Sequence, residues 1–322
     1  MIPMPLVDLP LEQLKTYMGR TPRPANFSEY WENSLAEVDQ LQSKFDFQEV
    51  ECPIPDAQWF EARFEGVGGA TIFAKHVRPR SLSQPKPCVL QFHGYQMDSG
   101  DWAEISRWLL LGYSAFAMDV RGQGGQSSDP GGAAGSTVKG HITRGLGDSP
   151  EKLFYRGVYC DCAQIAKLAM GLDFVDPARV GTIGASQGGA LSLVCAALEP
   201  RIARCVSAYP YLADYKRVWE MDLAKDAYDD LRYWIRSFDP QHARIDEIWE
   251  KLGYIDIQHL ADRIQGKVQL FTGLMDTICP PSSQFAAFNK MSCPKELELY
   301  PNHGHEGLPH YGTKSLGFLA KL

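Results

Sequence analysis

Apolar and polar positions change their spacing twice along this chain, and the changes mark out its parts. Up to about residue 45 the spacing is helical. A short amphipathic segment comes first, then Asn26-Phe27-Ser28-Glu29-Tyr30-Trp31, where Asn26 or Ser28 can cap a second helix whose aromatics pack on the main body. Three β-like runs follow, near 46–52, 58–66 and 70–78, and the last two are joined by the turn Gly66-Val67-Gly68-Gly69. They predict an antiparallel edge to a larger sheet. From Pro87 onward short apolar runs alternate with helical patterns. Strands are expected at Val89–Phe92, Tyr113–Met118, 179–184, Ala203–Ser207, Lys267–Thr272 and Glu296–Tyr300. Helices are expected at 101–111, 154–171, 187–198, 281–290 and 310–321.

Two stretches interrupt the alternation. Gly122 to Gly147 is rich in glycine and has no period, which predicts a long surface excursion. The segment 209–263 is helical in pattern and dense in aromatics, with Tyr209, Tyr211, Tyr215, Trp219, Tyr228 and Trp234 among them. No linker or repeat separates it, so it reads as a cap inserted into one domain spanning 1–322. Strands alternating with helices predict an α/β fold, a mostly parallel central sheet covered on both faces.

Composition narrows the function classes. At 322 residues, 44% hydrophobic and 22% charged, the chain has the make-up of a globular protein with a sizeable core. A net charge of −7 with no basic block disfavours nucleic acid and anionic membrane as partners. Met1-Ile2-Pro3-Met4-Pro5 is not followed by the apolar stretch of a secretion signal, and no run is apolar enough to span a bilayer. Most of the eight cysteines sit in apolar runs, as at Cys88 and Cys195, and read as reduced core thiols of a cytoplasmic protein. Cys160-Asp161-Cys162 invites a metal reading, but no second pair or histidine cluster has ligand spacing, so no metal is expected.

The chemistry centres on Gly184-Ala185-Ser186-Gln187-Gly188, which follows a β-rich run and opens a helical one. A G-x-S-x-G turn between strand and helix is the nucleophile elbow of α/β-hydrolases. It lifts the serine hydroxyl off the sheet and places the Gln187 N–H at a helix N-terminus, where partial positive charge favours an oxyanion. A serine needs a base oriented by an acid, and in this architecture both come later in the chain. Asp276, beyond the strand starting at Lys267, fits the acid; Asp239 and Asp262 precede that strand. The base belongs in the loop after Tyr300, which holds His303 and His305, and spacing leaves both open. His76, His141, His242, His259 and His310 fall outside that loop and read as surface or packing residues. The second oxyanion donor is expected in His93-Gly94-Tyr95-Gln96, at the Tyr95 N–H.

Taken in order, His93-Gly94-Tyr95, Arg121-Gly122-Gln123, Gly184-Ala185-Ser186-Gln187-Gly188 and His305-Glu306 resemble the signature set of carbohydrate esterase family seven, the acetyl xylan esterases and cephalosporin C deacetylases. Phe27-Ser28-Glu29-Tyr30-Trp31 and Gly273-Leu274-Met275-Asp276 with Cys279-Pro280-Pro281 extend the resemblance over nearly the whole chain. The resemblance implies a triad of Ser186, Asp276 and His305, oxyanion donors at Tyr95 and Gln187, and supporting roles for Arg121 and Gln123. It also implies hydrolysis of small acetylated sugars and of cephalosporin C without a cofactor, by a homo-oligomer, a hexamer. The alternatives are a prolyl-oligopeptidase-type serine peptidase, with the same fold and triad order, and a catalytically inactive binding protein on the hydrolase fold. The complete set of Ser, Asp, His and donor loops weighs against inactivity. Tyr209 and Tyr211 are candidates for stacking on a sugar ring, although an aromatic-rich cap is more often a packing or subunit-contact surface.

Overall fold

A computed structural model describes residues 7–130 and 137–322. Residues 131–136 of the predicted excursion lie outside the described residues. The described residues build a nine-stranded sheet from β1 (Asp46–Val50), β2 (Ala57–Gly66), β3 (Ala70–Pro79), β4 (Lys86–Phe92), β5 (Ser114–Met118), β6 (Val175–Ala185), β7 (Arg204–Ala208), β8 (Lys267–Gly273) and β9 (Lys295–Tyr300). Their order is β1-β2-β3-β5-β4-β6-β7-β8-β9. β1, β2, β3 and β5 pair antiparallel, and every pairing from β5 through β4 to β9 is parallel. The expected antiparallel edge on a mostly parallel sheet is therefore present.

Alternation along each strand divides the core between two faces. Cys88, Leu90 and Phe92 of β4 join Phe116 and Met118 of β5 in one layer, under helices Phe27–Gln40, Phe154–Met170 and Gln187–Leu198. Val89, Ala115 and Ala117 face the other way, against Ile105 of helix Trp102–Ser106 and Phe318 of helix Tyr311–Leu319. The insertion's Tyr211, Tyr215, Tyr228, Ile235, Trp249 and Leu252 are buried in the first layer's cluster, together with sheet residues.

Several local expectations need correcting. The pattern at 101–111 is an α-helix only over Trp102–Ser106 and tightens into a 3₁₀ turn over Arg107–Leu111, which Gly112 ends at φ 69°. Asn26 does precede helix Phe27–Gln40, but neither it nor Ser28 caps the helix: no side-chain capping bond forms, and the Asn26 carboxamide oxygen accepts the Tyr254 hydroxyl instead. The excursion is not wholly superficial, since His141, Ile142 and Leu146 are buried. A stretch without period still enters the core when a few apolar residues are pinned by contacts distant in sequence.

Two long-range ties join the N-terminal segment to the body. Trp31 is fully buried, stacks on Tyr159 at 5.7 Å and donates its indole N–H to the Tyr254 carbonyl at 3.0 Å. The buried Asp214 carboxylate accepts the Tyr17 hydroxyl and the backbone N–H groups of Arg20 and Thr21, each at 2.8 Å. Asp256 accepts the Asp214 N–H at 3.0 Å, and burial, reinforced by the Asp214 charge, pushes its carboxyl up to about 7.

Truncating Trp31 to alanine removes a large buried ring and leaves the Tyr254 carbonyl unpaired, so Trp31→Ala should cost about 3–5 kcal/mol in urea unfolding. Asp256 also gives a pH signature. Its folded pKa lies above the ordinary value of 3.8, so the folded chain binds this proton more tightly than the unfolded one. That stability is full at low pH and lost as pH rises through the folded value. The urea midpoint of the wild type should fall between about pH 4 and 8, and Asp256→Asn should flatten the slope.

Candidate active site

Strand β6 meets helix Gln187–Leu198 at Ser186, which adopts φ 56°, ψ −120°. An L-residue in that region is strained by about 1–3 kcal/mol and persists only where its surroundings hold it. Here the Ser186 N–H donates to the Ala208 carbonyl at 2.9 Å, and the Ser186 carbonyl accepts Ala190 N–H at 3.0 Å and Tyr211 N–H at 3.1 Å. The flanking glycines are a matter of close approach. A Cβ on Gly184 would overlap the Gly188 backbone, and one on Gly188 would overlap the Phe92 carbonyl. The helix behind Ser186 is buried along its whole length, with Ser192 Oγ donating to the Gly188 carbonyl at 2.8 Å.

The loops after β8 and β9 are zipped together: Leu274 N–H donates to the Tyr300 carbonyl at 3.1 Å and Met275 N–H to the His303 carbonyl at 2.9 Å. This brings Asp276 and His305 onto the elbow. His305 Nε2 lies 2.9 Å from Ser186 Oγ, and His305 Nδ1 lies 2.9 Å from Asp276 Oδ2. Asp276 is fully buried, and its other oxygen accepts the N–H groups of Ile278 at 2.9 Å and Cys279 at 2.8 Å. With these partners a neutral His305 carries its proton on Nδ1 toward the carboxylate and offers Nε2 to the serine O–H. His303, the other candidate base, turns its ring to Tyr300 at 5.6 Å and bonds to neither group. Asp239 accepts the N–H groups of Ala243 and Arg244, and Asp262 pairs with Arg23.

The loop after β4, expected to carry the second oxyanion donor, is fixed from behind. His93 Nε2 accepts Val120 N–H at 2.9 Å, while Nδ1 lies 2.7 Å from the Gly94 carbonyl. The Gln123 and Gln187 carboxamides bond reciprocally at 2.8 and 3.0 Å, Tyr155 donates its hydroxyl to Gln187 Oε1 at 2.8 Å, and Gln96 N–H donates to Gln123 Oε1 at 3.0 Å. Gln123 thus ties the donor loop to the elbow helix. Arg121 works at a remove: it makes a bidentate pair with buried Asp161, both contacts 2.7 Å, and donates to the Val67 carbonyl. Among the described residues, neither the Tyr95 nor the Gln187 backbone N–H donates a hydrogen bond within the protein. Tyr155 and Asp161, on helix Phe154–Met170, carried no sequence signal for this role, because helical spacing alone does not say which buried polar group meets which.

These groups open onto a cleft of about 640 Å³ lined by Tyr95, Met97, Ser186, Tyr209, Ile278 and His305, among others. Tyr209 packs its ring 4.6 Å from the His305 imidazole. Tyr211, the other candidate for stacking on a sugar, is fully buried with its hydroxyl on the Ala227 carbonyl, so it presents no face to a ligand. Among the described residues no cluster of three metal-ligating side chains occurs, and no helix is long and apolar enough to cross a membrane. Cys160 and Cys162 are buried free thiols, and the Asp161 between them is committed to Arg121. The arrangement suits nucleophilic attack by a hydroxyl on a carbonyl placed in the cleft.

A family model described as acetyl xylan esterase (AXE1) matches residues 4–322. Acetyl esterase Axe7A of Xylanibacter ruminicola is 25% identical over 300 residues, 91% of this chain; the chain spans 65% of that relative's length. Acetyl xylan esterase 1 from Thermoanaerobacterium sp. JW/SL YS485 superposes with a TM-score of 0.94 at 45% identity, covering 98% of this chain and 99% of that one. An acetyl xylan esterase from Paenibacillus sp. R4 does so with 0.90 at 31% identity, covering 97% and 99%. More distant neighbours at 16% identity, among them a cold-adapted esterase from an Arctic intertidal metagenomic library with a TM-score of 0.57, share the fold. Matched along nearly its whole length, the chain belongs to the acetyl xylan esterase family.

Proposed function

We propose that the protein is a serine esterase that removes acetyl groups from small acetylated carbohydrates, acetylated xylo-oligosaccharides and cephalosporin C among them. The observation that carries this reading is the single imidazole, His305, within 2.9 Å of both Ser186 Oγ and Asp276 Oδ2 at the cleft. Ser186 attacks the acetyl carbonyl as His305 takes its proton, and the Tyr95 and Gln187 N–H groups hold the tetrahedral oxyanion. The sugar hydroxyl departs with the proton from His305. Water, activated by the same imidazole, then attacks the acetyl-enzyme and releases acetate. Asp276 orients the ring and stabilises the imidazolium. No cofactor takes part in this scheme. Eight free cysteines support a reducing, cytoplasmic setting, and the family resemblance supports assembly as a homo-hexamer.

Ser186→Ala should lower kcat on an acetyl ester by roughly 10⁴–10⁶, measured as acetate release. A purified, folded variant retaining most of its activity would remove Ser186 from the mechanism. His305→Ala should abolish turnover while His303→Ala keeps most of it, and the reverse pattern would reassign the base. A panel of acetylated mono-, di- and oligosaccharides with cephalosporin C, set beside aminoacyl-proline amides, should show acetate release and no amide cleavage.

A further inference from the structure

The proposed mechanism rests on a backbone N–H at Tyr95 but assigns nothing to the Tyr95 side chain. That side chain lines the cleft and carries its hydroxyl into a polar cluster beside it. Its hydroxyl lies 3.0 Å from Nδ1 of His141, a fully buried histidine whose Nε2 lies 3.1 Å from Thr137 Oγ1. The two rings meet edge to face, their centroids 5.3 Å apart. One residue before His141, the Gly140 N–H donates to Asp230 Oδ2 at 2.9 Å, on helix Asp229–Phe238 of the insertion. Gln96, next to Tyr95 and in the left-handed region at φ 66°, donates its carboxamide to the Val138 carbonyl. The segment 137–142 therefore grips two consecutive residues of the donor loop and is itself held by the insertion.

We propose that the Tyr95–His141 hydrogen bond, anchored through Gly140 on Asp230, sets the position of the oxyanion-donating N–H, which makes the Tyr95 phenol, His141 and Asp230 positioning groups. The chemistry of the pair suits that task. Burial lowers the His141 pKa to about 4 and raises that of the Tyr95 phenol, so at neutral pH the two are an uncharged donor–acceptor pair. A neutral hydrogen bond in a dry setting is directional, and the Asp230 carboxylate beside it accepts the Gly140 N–H. The loop needs such a fastener. Its Gln96 backbone is strained, and the Tyr95 N–H that must face the acyl oxygen has no protein acceptor of its own among the described residues. Orientation of this N–H is worth rate only if it is set before the charge develops.

The inference rests on the esterase reading, and its test separates the two. Tyr95→Phe deletes one oxygen and His141→Leu deletes the partner; each should lower kcat on an acetyl ester by about 10–100-fold with KM within about twofold, as expected of a donor moved slightly out of place. The double variant should be no worse than either single one, because both remove the same bond. Affinity for a boronic acid, which forms a tetrahedral anion on Ser186, should fall by the same factor as kcat/KM. Binding of the deacetylated sugar should hold. Asp230→Asn keeps the fold's packing and should give a smaller loss in the same direction. Unchanged kcat in Tyr95→Phe, or losses that multiply in the double variant, would overturn the inference; loss of kcat matched by an equal loss of sugar binding would reduce the cluster to general support and overturn it too. Should Ser186→Ala leave acetate release intact, the esterase reading itself falls, whatever these variants do.

Discussion

Because β6 and helix Gln187–Leu198 meet with backbone against backbone, Ser186 has little freedom in where it stands. The Gly188 backbone occupies the space of a Gly184 side chain, and the Phe92 carbonyl occupies that of a Gly188 side chain. The strand-to-helix reversal closes only if the residue between takes φ 56°. Hydrogen bonds to Ala208 and from Tyr211 keep it there. Once that hydroxyl is fixed, the remaining parts have one place to go. The loops after β8 and β9 bring Asp276 and His305 to it, and the loop after β4 brings Tyr95 to the same cleft.

Different elements hold each component, and the bonds between them cross long sequence distances. Gln123 reaches the elbow helix, Asp161 holds Arg121, and Asp230 holds the stretch carrying His141. The buried Asp214 carboxylate fastens the N-terminal segment to the insertion in the same way, and Asp256 holds the Asp214 N–H from within the insertion. Apolar burial decides that these layers pack; buried polar pairs decide their register, because an unpaired polar group in the core costs far more than a mismatched methyl.

How much of this was legible in the sequence follows from the range of each signal. Local signals read well. The glycines around Ser186, the apolar runs of β4, β6 and β8, and the position of Asp276 after a strand all depend on near neighbours. The choice between His303 and His305 did not follow from spacing, since both sit in one loop and only the register with β8 turns His305 inward; the family motif His305-Glu306 pointed to the same residue. Pairings across the fold were silent. Nothing near Tyr155, His93 or His141 in the chain announces its partner, and His141 read as an ordinary surface or packing residue. Tyr211 took the packing alternative and Tyr209 lines the cleft, a division that aromatic content alone does not make, because it does not say which rings complete the core.

The elbow helix offers a last consequence. Gly188, Gly189, Ala190, Ser192, Ala196 and Ala197 are buried, and a Cβ on Gly188 or Gly189 would run into the Phe92 or Ala208 carbonyl of the sheet. That floor leaves little room for larger side chains, whereas Met97 and Ile278 sit in the walls of the cleft, where a change of side chain alters its shape directly. The fold thus separates a tightly packed floor from an open rim, so the walls of the cleft can change while the turn at Ser186 stays as it is.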